Sequence, residues 1–418
     1  GFYRPASPPA PGSTMTNSVT AFAPDFKMPR TWKSSLAVDI KMPWGVIGTV
    51  EAIYNRDVKV IYSKNINLVN PSPLSVAAYP WDNRMIYPVT ANGANNINRL
   101  SNPSPGVLVP SASGTQSLTM IMSGNEKKGH YASLAIKLEK PFKNGFAASV
   151  AYTKTVANNL FDGLGDQPFN LWSLVQTVNG ANTPQLSHAV YTVPDRVIGT
   201  LSYRKEYLKH LVTTIALVYQ GSIDYRFSYV YGADFNRDGV NGNDLIWIPT
   251  AAQVQQMTFV SHNQNGIIYD QAAQRTLFEN YVQQDKYLRT HRGQYAERNG
   301  AQSPWRNQLN VKFMQDLFVM AGKTRNTLQF TVDIINAGNL INRSWGKGKQ
   351  ANAAAFFAGN ASILLPQNQT ALVPGGAVVP TFKLQTDRGQ MITRTFRDDV
   401  STFSTYAIQL GLRYIFNN

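Results

Sequence analysis

Apolar residues recur at every second position in much of this chain, and the segments that carry the pattern are joined by short turns and long loops in strict alternation. A repeat of two belongs to a β-strand with one apolar face. Near the C-terminal end, Tyr406, Ile408, Leu410, Leu412, Tyr414 and Phe416 form one row, and Ala407, Gln409, Gly411 and Arg413 oppose it. Ala132, Leu134, Ile136 and Leu138 form another. Pro141-Phe142-Lys143-Asn144-Gly145 then reads as a tight turn, and Phe146, Ala148, Val150 and Tyr152 resume the row beyond it. The same pattern predicts hairpins from 31–42 and 46–63 around Pro43-Trp44-Gly45, and from 196–204 and 211–219 around Glu206-Tyr207-Leu208-Lys209. A further one joins 307–318 to 327–335 around Ala321-Gly322-Lys323-Thr324.

Between hairpins the connections run to tens of residues, over 65–127, 157–195, 222–304 and 336–402. Loops of that length count against a compact soluble domain. A soluble sandwich also has no reason to collect every long loop at one end. Transmembrane barrels do, with short periplasmic turns and long extracellular loops. The expected fold class is therefore all-β, a transmembrane antiparallel β-barrel with long extracellular loops and about nine spanning strands. An odd count that starts outside and ends inside is part of a larger barrel, because single-chain bacterial barrels use even numbers. The opening Gly1-Phe2-Tyr3-Arg4-Pro5 carries no initiator Met or signal peptide, so residues 1–418 are expected to be one partial barrel domain, a fragment or processed piece.

Composition fits this expectation. Only 15% of the 418 residues are charged, against about a quarter in an ordinary soluble domain. The 20 Tyr, 20 Phe and 7 Trp supply aromatic girdles. No run of about 18 apolar residues offers a transmembrane helix. The net charge of +15 is scattered, without a Lys/Arg run or a nucleic-acid motif, so anionic lipid headgroups are the expected counterpart and nucleic acid is not a partner. The absence of cysteine excludes disulfides and thiolate metal sites.

The loops carry signals of their own. Residues 270–287 read as an amphipathic helix with Asp270 as N-cap, 382–395 as strand-like extensions, and 1–28 as the end of a loop. No catalytic constellation is present and no enzyme is expected: His130, His188, His210, His262 and His291 match no metal-ligand or triad spacing. The aromatic run Tyr225 to Tyr231 reads either as a ligand platform at a barrel mouth or as girdle and loop packing. One local motif points to a cation. Asp234, Asn236, Asp238 and Gly239 match the start of a calcium loop, D-x-N-x-D-G, in which alternating oxygen ligands surround a hard ion. The twelfth position is Leu245 rather than Glu, and Asp244 is the expected substitute. A polar turn held by its own hydrogen bonds is the other reading of Asp234, Asn236, Asp238 and Asp244, and both stay open at this stage.

Taken together, these landmarks resemble the Oar-like branch of TonB-dependent transporters, whose barrels are related to the SusC type. The stretches that carry the resemblance are Phe26-Lys-Met-Pro29-Arg-Thr-Trp32 leading to Met42-Pro-Trp-Gly-Val-Ile-Gly-Thr-Val-Glu51, and Asp195-Arg-Val-Ile-Gly-Thr-Leu-Ser-Tyr203. Tyr229-Val-Tyr-Gly-Ala-Asp-Phe-Asn-Arg-Asp-Gly239, Asn243-Asp-Leu-Ile-Trp-Ile-Pro249, His291-Arg-Gly293, Glu297-Arg-Asn-Gly300, Pro304-Trp-Arg-Asn307, Arg325-Asn-Thr-Leu328 and Leu410-Gly-Leu-Arg-Tyr-Ile-Phe416 complete the set. The resemblance implies the C-terminal part of a 22-stranded barrel in a Gram-negative outer membrane, in contact with its lipid. It also implies active uptake of a large nutrient, with TonB engaged through a plug and TonB box upstream of Gly1, and a surface lipoprotein as a partner. A non-transporting adhesin or surface protein that uses its long loops is the alternative function.

Overall fold

The structure, a computed structural model, describes residues 18–90, 97–104, 107–110, 118–163, 165, 167–322, 324–352 and 360–417. Nine long strands dominate: β1 (Arg30–Met42), β2 (Val46–Asn65), β3 (His130–Lys143), β4 (Phe146–Asn159), β5 (Asp195–Tyr207), β6 (Leu211–Ile223), β7 (Trp305–Ala321), β8 (Thr324–Ile335) and β9 (Ala407–Asn417). They pair in chain order, each antiparallel to the next. All four predicted hairpins are present, with strands that run a few residues past the predicted ends.

The turns explain why the hairpins close so tightly. Asn144 and Gly145 have φ of 54° and 89°, the paired left-handed geometry whose twist matches that of the flanking strands. Trp44 with Gly45 and Leu208 with Lys209 adopt the same sign of φ. The last of these pairs has no glycine, and each left-handed L-residue costs roughly 1–2 kcal/mol. In the fourth turn Gly322 has φ of 64°, and Lys323 lies outside the described residues.

The register sorts the side chains onto two faces. Val38 lies beside Val50, Val50 beside Ile136, Ile136 beside Tyr152 and Tyr152 beside Val197. Further along, Leu201, Leu217, Val311, Ile334 and Ile408 continue such a row. Among the described residues nothing covers this apolar face: Leu36 is 70%, Leu410 66% and Leu412 72% exposed. The opposite face is polar and bonded across strands. Thr49 donates to Asp39, Gln329 donates to Asp316 at 2.8 Å, Lys312 pairs with Asp333 at 3.1 Å, and the Ser149 and Thr200 hydroxyls meet at 2.7 Å. Aromatic residues gather at both ends of the apolar rows, with Trp32 against Tyr54 at the loop end and Phe146 against Tyr203 at the turn end.

Among the described residues, β1 and β9 each keep one edge without a strand partner, so the sheet is open as described. At the loop end it rises further. Thr119–Glu126 pairs with Val60–Asn65 in the register that β3 keeps with β2, and Ser18–Phe22 runs parallel beside Thr119–Ser123. Among the described residues no helix is long and apolar enough to cross a membrane, which says nothing about crossing by strands.

The described parts of the long loops do not hang free. They fold together into a cap with its own core. At its centre Arg226–Tyr231 lies parallel to Asn360–Pro366, which pairs antiparallel with Thr381–Leu384. Helix α1 (Gln271–Gln284) packs over them, N-capped by the Asp270 carboxylate, which accepts the Ala273 amide at 2.8 Å. Phe227, Tyr229, Tyr231, Phe278, Leu364 and Phe382 are buried in one cluster. The helix predicted over 270–287 is in fact two. Asp285 is extended (φ −89°, ψ 124°) and caps a second helix, α2 (Lys286–Thr290), by accepting the Leu288 amide. Of the predicted extensions over 382–395, the structure forms Thr381–Leu384, Thr386–Asp387 and Gln390–Met391. Within 1–28, residues 1–17 lie outside the described part and Ser18–Phe22 is a strand rather than a loop.

Candidate metal site in the cap

The loop that follows Arg226–Tyr231 turns back on itself at Asp234, and its side chains hold the turn. The Asp234 carboxylate accepts the amides of Asp238 at 3.0 Å and Gly239 at 2.8 Å. Asn236 Oδ1 also accepts the Asp238 amide, at 2.8 Å. Asp238 accepts the amides of Val240 at 2.9 Å and Ala181 at 2.7 Å, and the Asn243 side-chain amide at 3.4 Å. Gly239 supplies the bend with φ of 91°. Asp244 Oδ2 reaches back to the amides of Phe235 at 2.7 Å and Asn236 at 3.2 Å. The four residues singled out in the sequence are thus brought into one turn. Asp234 and Asn236 meet at the Asp238 amide, the Asp238 carboxylate turns to Val240, Ala181 and Asn243, and Asp244 reaches back to the start of the turn.

Sequence reading missed what surrounds them. Asp82 and Arg84, both fully buried, pair at 2.9 Å beneath the turn. Arg84 also donates to the Leu245 carbonyl, lies 4.0 Å from Asp244 Oδ1, and is sandwiched by the rings of Tyr231, Phe235 and Tyr295. Tyr231 and Tyr295 hydroxyls donate to Asp82. Arg237, 1% exposed, donates to the carbonyls of Gln369 and Leu372. No sequence signal links Arg84 to a loop some 150 residues away. Only the folded cap brings them together.

Burial, and then the neighbouring Asp238, pushes the Asp234 carboxyl up to about 8. Burial pushes Asp238 up to about 6. Asp244 is raised well above the carboxylate range, by burial first and then by Asp238 and Asp234. Each shift states the same physics: charge of one sign is crowded away from water. Asp244 Oδ1 and Asn243 Oδ1 have no hydrogen-bond partner, although both residues are fully buried. Every donor in the turn is oxygen, which suits a hard cation. Among the described residues, no three His, Cys, Asp or Glu side chains stand as a finished metal shell, so any ion would also draw on amide and carbonyl oxygens.

The other candidates resolve into packing. Arg226–Tyr231 is buried throughout, so this aromatic run is cap core rather than an open ligand platform. His210, His262 and His291 each meet a backbone carbonyl through Nδ1, and His188 lies 3.8 Å from Glu297. A second buried network joins Arg298 to Asp162 at 3.2 Å and to Asn159, with Asn299 beside it. A cleft of about 280 Å³ between the 157–195 and 222–304 loops is lined by Gln176, Asn179, Gln185, Ser187, Tyr295 and Glu297 among others. No family model, no curated protein and no solved structure matches the chain.

Proposed function

We propose that the chain forms part of the wall and the surface cap of an outer-membrane β-barrel of the TonB-dependent transporter kind, in the Oar-like, SusC-related branch, which takes up a large nutrient. One observation carries the reading. An antiparallel sheet of nine long strands exposes a continuous apolar face, while every long connection leaves from the same end. In water such a face is a liability far larger than the apolar patches that soluble monomers tolerate. Against lipid it is a solvent-matched surface, and the bonded polar face would line the lumen. The open edges of β1 and β9 would then pair with further strands of a closed barrel. TonB would act through a plug and TonB box belonging to the remainder of such a protein, and a surface lipoprotein would sit on the cap.

Because the chain has no cysteine, single cysteines report without background. Ile136→Cys and Leu410→Cys should resist a water-soluble maleimide in intact outer membranes and react with a lipid-soluble one. Lys137→Cys and Gln409→Cys should do the reverse. Equal labelling of both sets, or recovery of the chain as a monodisperse monomer without detergent, would defeat the membrane reading. The cap, being a folded body of its own, also favours a second reading as a non-transporting adhesin. Nutrient uptake that disappears with TonB would decide for transport, and surface attachment that persists without TonB for adhesion.

A further inference from the structure

We propose that the 234–244 turn binds one Ca²⁺ ion and that this ion fastens all four long loops into a single cap. The first ground is charge. Four carboxylates, Asp82, Asp234, Asp238 and Asp244, share this part of the cap with two guanidiniums, Arg84 and Arg237. All but Asp234, at the rim, are buried. With all four ionised, two negative charges are left over, which is the deficit that one divalent cation closes. Buried charge without a partner is strongly unfavourable, so an uncompensated pair is a demand for a ligand.

The second ground is the supply of oxygen. A carboxylate offers about four lone-pair sites. Asp234 spends part of this capacity on backbone amides, and Asp244 spends none of it on Oδ1. Asn243, fully buried, reaches Asp238 through its amide nitrogen and has an Oδ1 without any hydrogen bond. Together with Asn236 Oδ1, these donors make a mixed, irregular oxygen set. Ca²⁺ accepts such a set, whereas Mg²⁺ demands near-ideal octahedral geometry and Zn²⁺ prefers nitrogen and sulfur.

The third ground is position, and it gives the ion its role. The turn belongs to the loop over 222–304. It takes the Ala181 amide from the loop over 157–195, and Asn236 accepts the Tyr87 amide at 2.8 Å from the loop over 65–127. Arg237, next to it in the turn, holds Gln369 and Leu372 of the loop over 336–402. The turn is therefore a junction where all four loops meet. Without a cation, repulsion among Asp234, Asp238 and Asp244 works to open it, and with one the same groups pull the junction shut.

The test uses the whole chain in detergent micelles, stripped with chelator and titrated with CaCl₂ alone. Calorimetry should give one ion per chain, with a Kd on the order of 10⁻⁴–10⁻³ M, as in extracellular modules. Limited proteolysis should show cleavage in all four loops falling together as Ca²⁺ is added. Asp234→Asn keeps an oxygen acceptor at the rim of the turn and removes one charge. It should weaken binding tenfold or more, and the cap should be less sensitive to chelator than in the wild type. No heat and identical cleavage in CaCl₂ and in chelator, with the β-sheet content intact, would overturn the proposal and leave a proton as the neutraliser of the turn. If Asp234→Asn does not fold, the wild-type comparison decides alone. None of these readouts needs the chain to cross a membrane, so the outcome stands apart from the outer-membrane reading.

Discussion

The wall and the cap place their apolar groups in opposite ways. In the wall, Leu410 and Leu412 sit on an outer face with 66% and 72% of their surface free, while Thr, Asp, Gln and Lys bond to one another across the strands behind them. In the cap, Phe278, Tyr229 and Phe382 are wholly buried and charge is tucked beneath them. The wall spends its period of two on one apolar and one polar face, and its strands are held by cross-strand pairing. The cap has no such repeat and depends on burial of a core gathered from distant loops. Hydrophobicity alone would not tell the two regions apart. The direction in which the apolar groups face does.

The comparison can be broken from either side. The largest effect is expected in the cap, where Phe278→Ala should cost about 3–5 kcal/mol by leaving a cavity. Proteolysis should then find the loops cut while the wall strands stay protected. Loss of the wall as well would make the two regions one cooperative unit. In the wall, Leu410→Arg should cost about 2–4 kcal/mol in the membrane, and its neighbour Gln409→Arg, on the other face, far less. Equal defects in membrane assembly would erase the distinction between the faces. A smaller change probes how the cap tolerates buried polarity. The Tyr229 hydroxyl donates to Asp285 at 2.7 Å, and Tyr229→Phe should cost about 1–3 kcal/mol because an acceptor loses its partner. A cap as stable as the wild type in thermal melts would mean that Thr395, which also donates to Asp285, satisfies it alone.

The least effect belongs to the cap surface. Hydrogen bonds from Lys347 and Lys349 hold the exposed Asp398 carboxyl down to about 2. A folded value below the unfolded one of roughly 3.9 means that the cluster contributes above that pH and is lost as pH falls toward 2. Exposure and salt keep the contribution small. A cap melting temperature that falls slightly between pH 5 and pH 2, less so in Asp398→Asn, is the expected result, and an identical fall in both would remove the cluster from the account.

The wall was legible because its signals are local. The alternation from Tyr406 to Phe416 needs only neighbours two apart, and Asn144-Gly145 names its own turn. Asp270 announced α1 in the same way, by capping a helix three residues on. The cap was legible only in pieces. The break at Asp285 was missed because amphipathic spacing runs through it, while the local extended backbone and the fresh cap are set by Tyr229 and Thr395 from elsewhere. The run from Tyr225 to Tyr231 left open a ligand platform because aromatics on a loop look alike whether they face water or a core. In the 234–244 turn the motif showed the carboxylates, but Asp82, Arg84 and the Ala181 amide come from other loops and leave no trace in local spacing.

The pairing of the nine strands in chain order carries a consequence for time. Each strand lies beside the one made just before it, so each hairpin closes only a short interval of chain, and the hairpins then join in the order in which they are made. The cap keeps no such order, since its core runs from Leu74 to Ile392 and needs the final long loop before it is whole. Contacts so far apart in sequence form slowly. The wall should therefore be recognisable early and its lid late. A chain halted after β8 would own eight of the nine strands of the wall and a lid still lacking Asn360–Pro366 and Thr381–Leu384 at its centre.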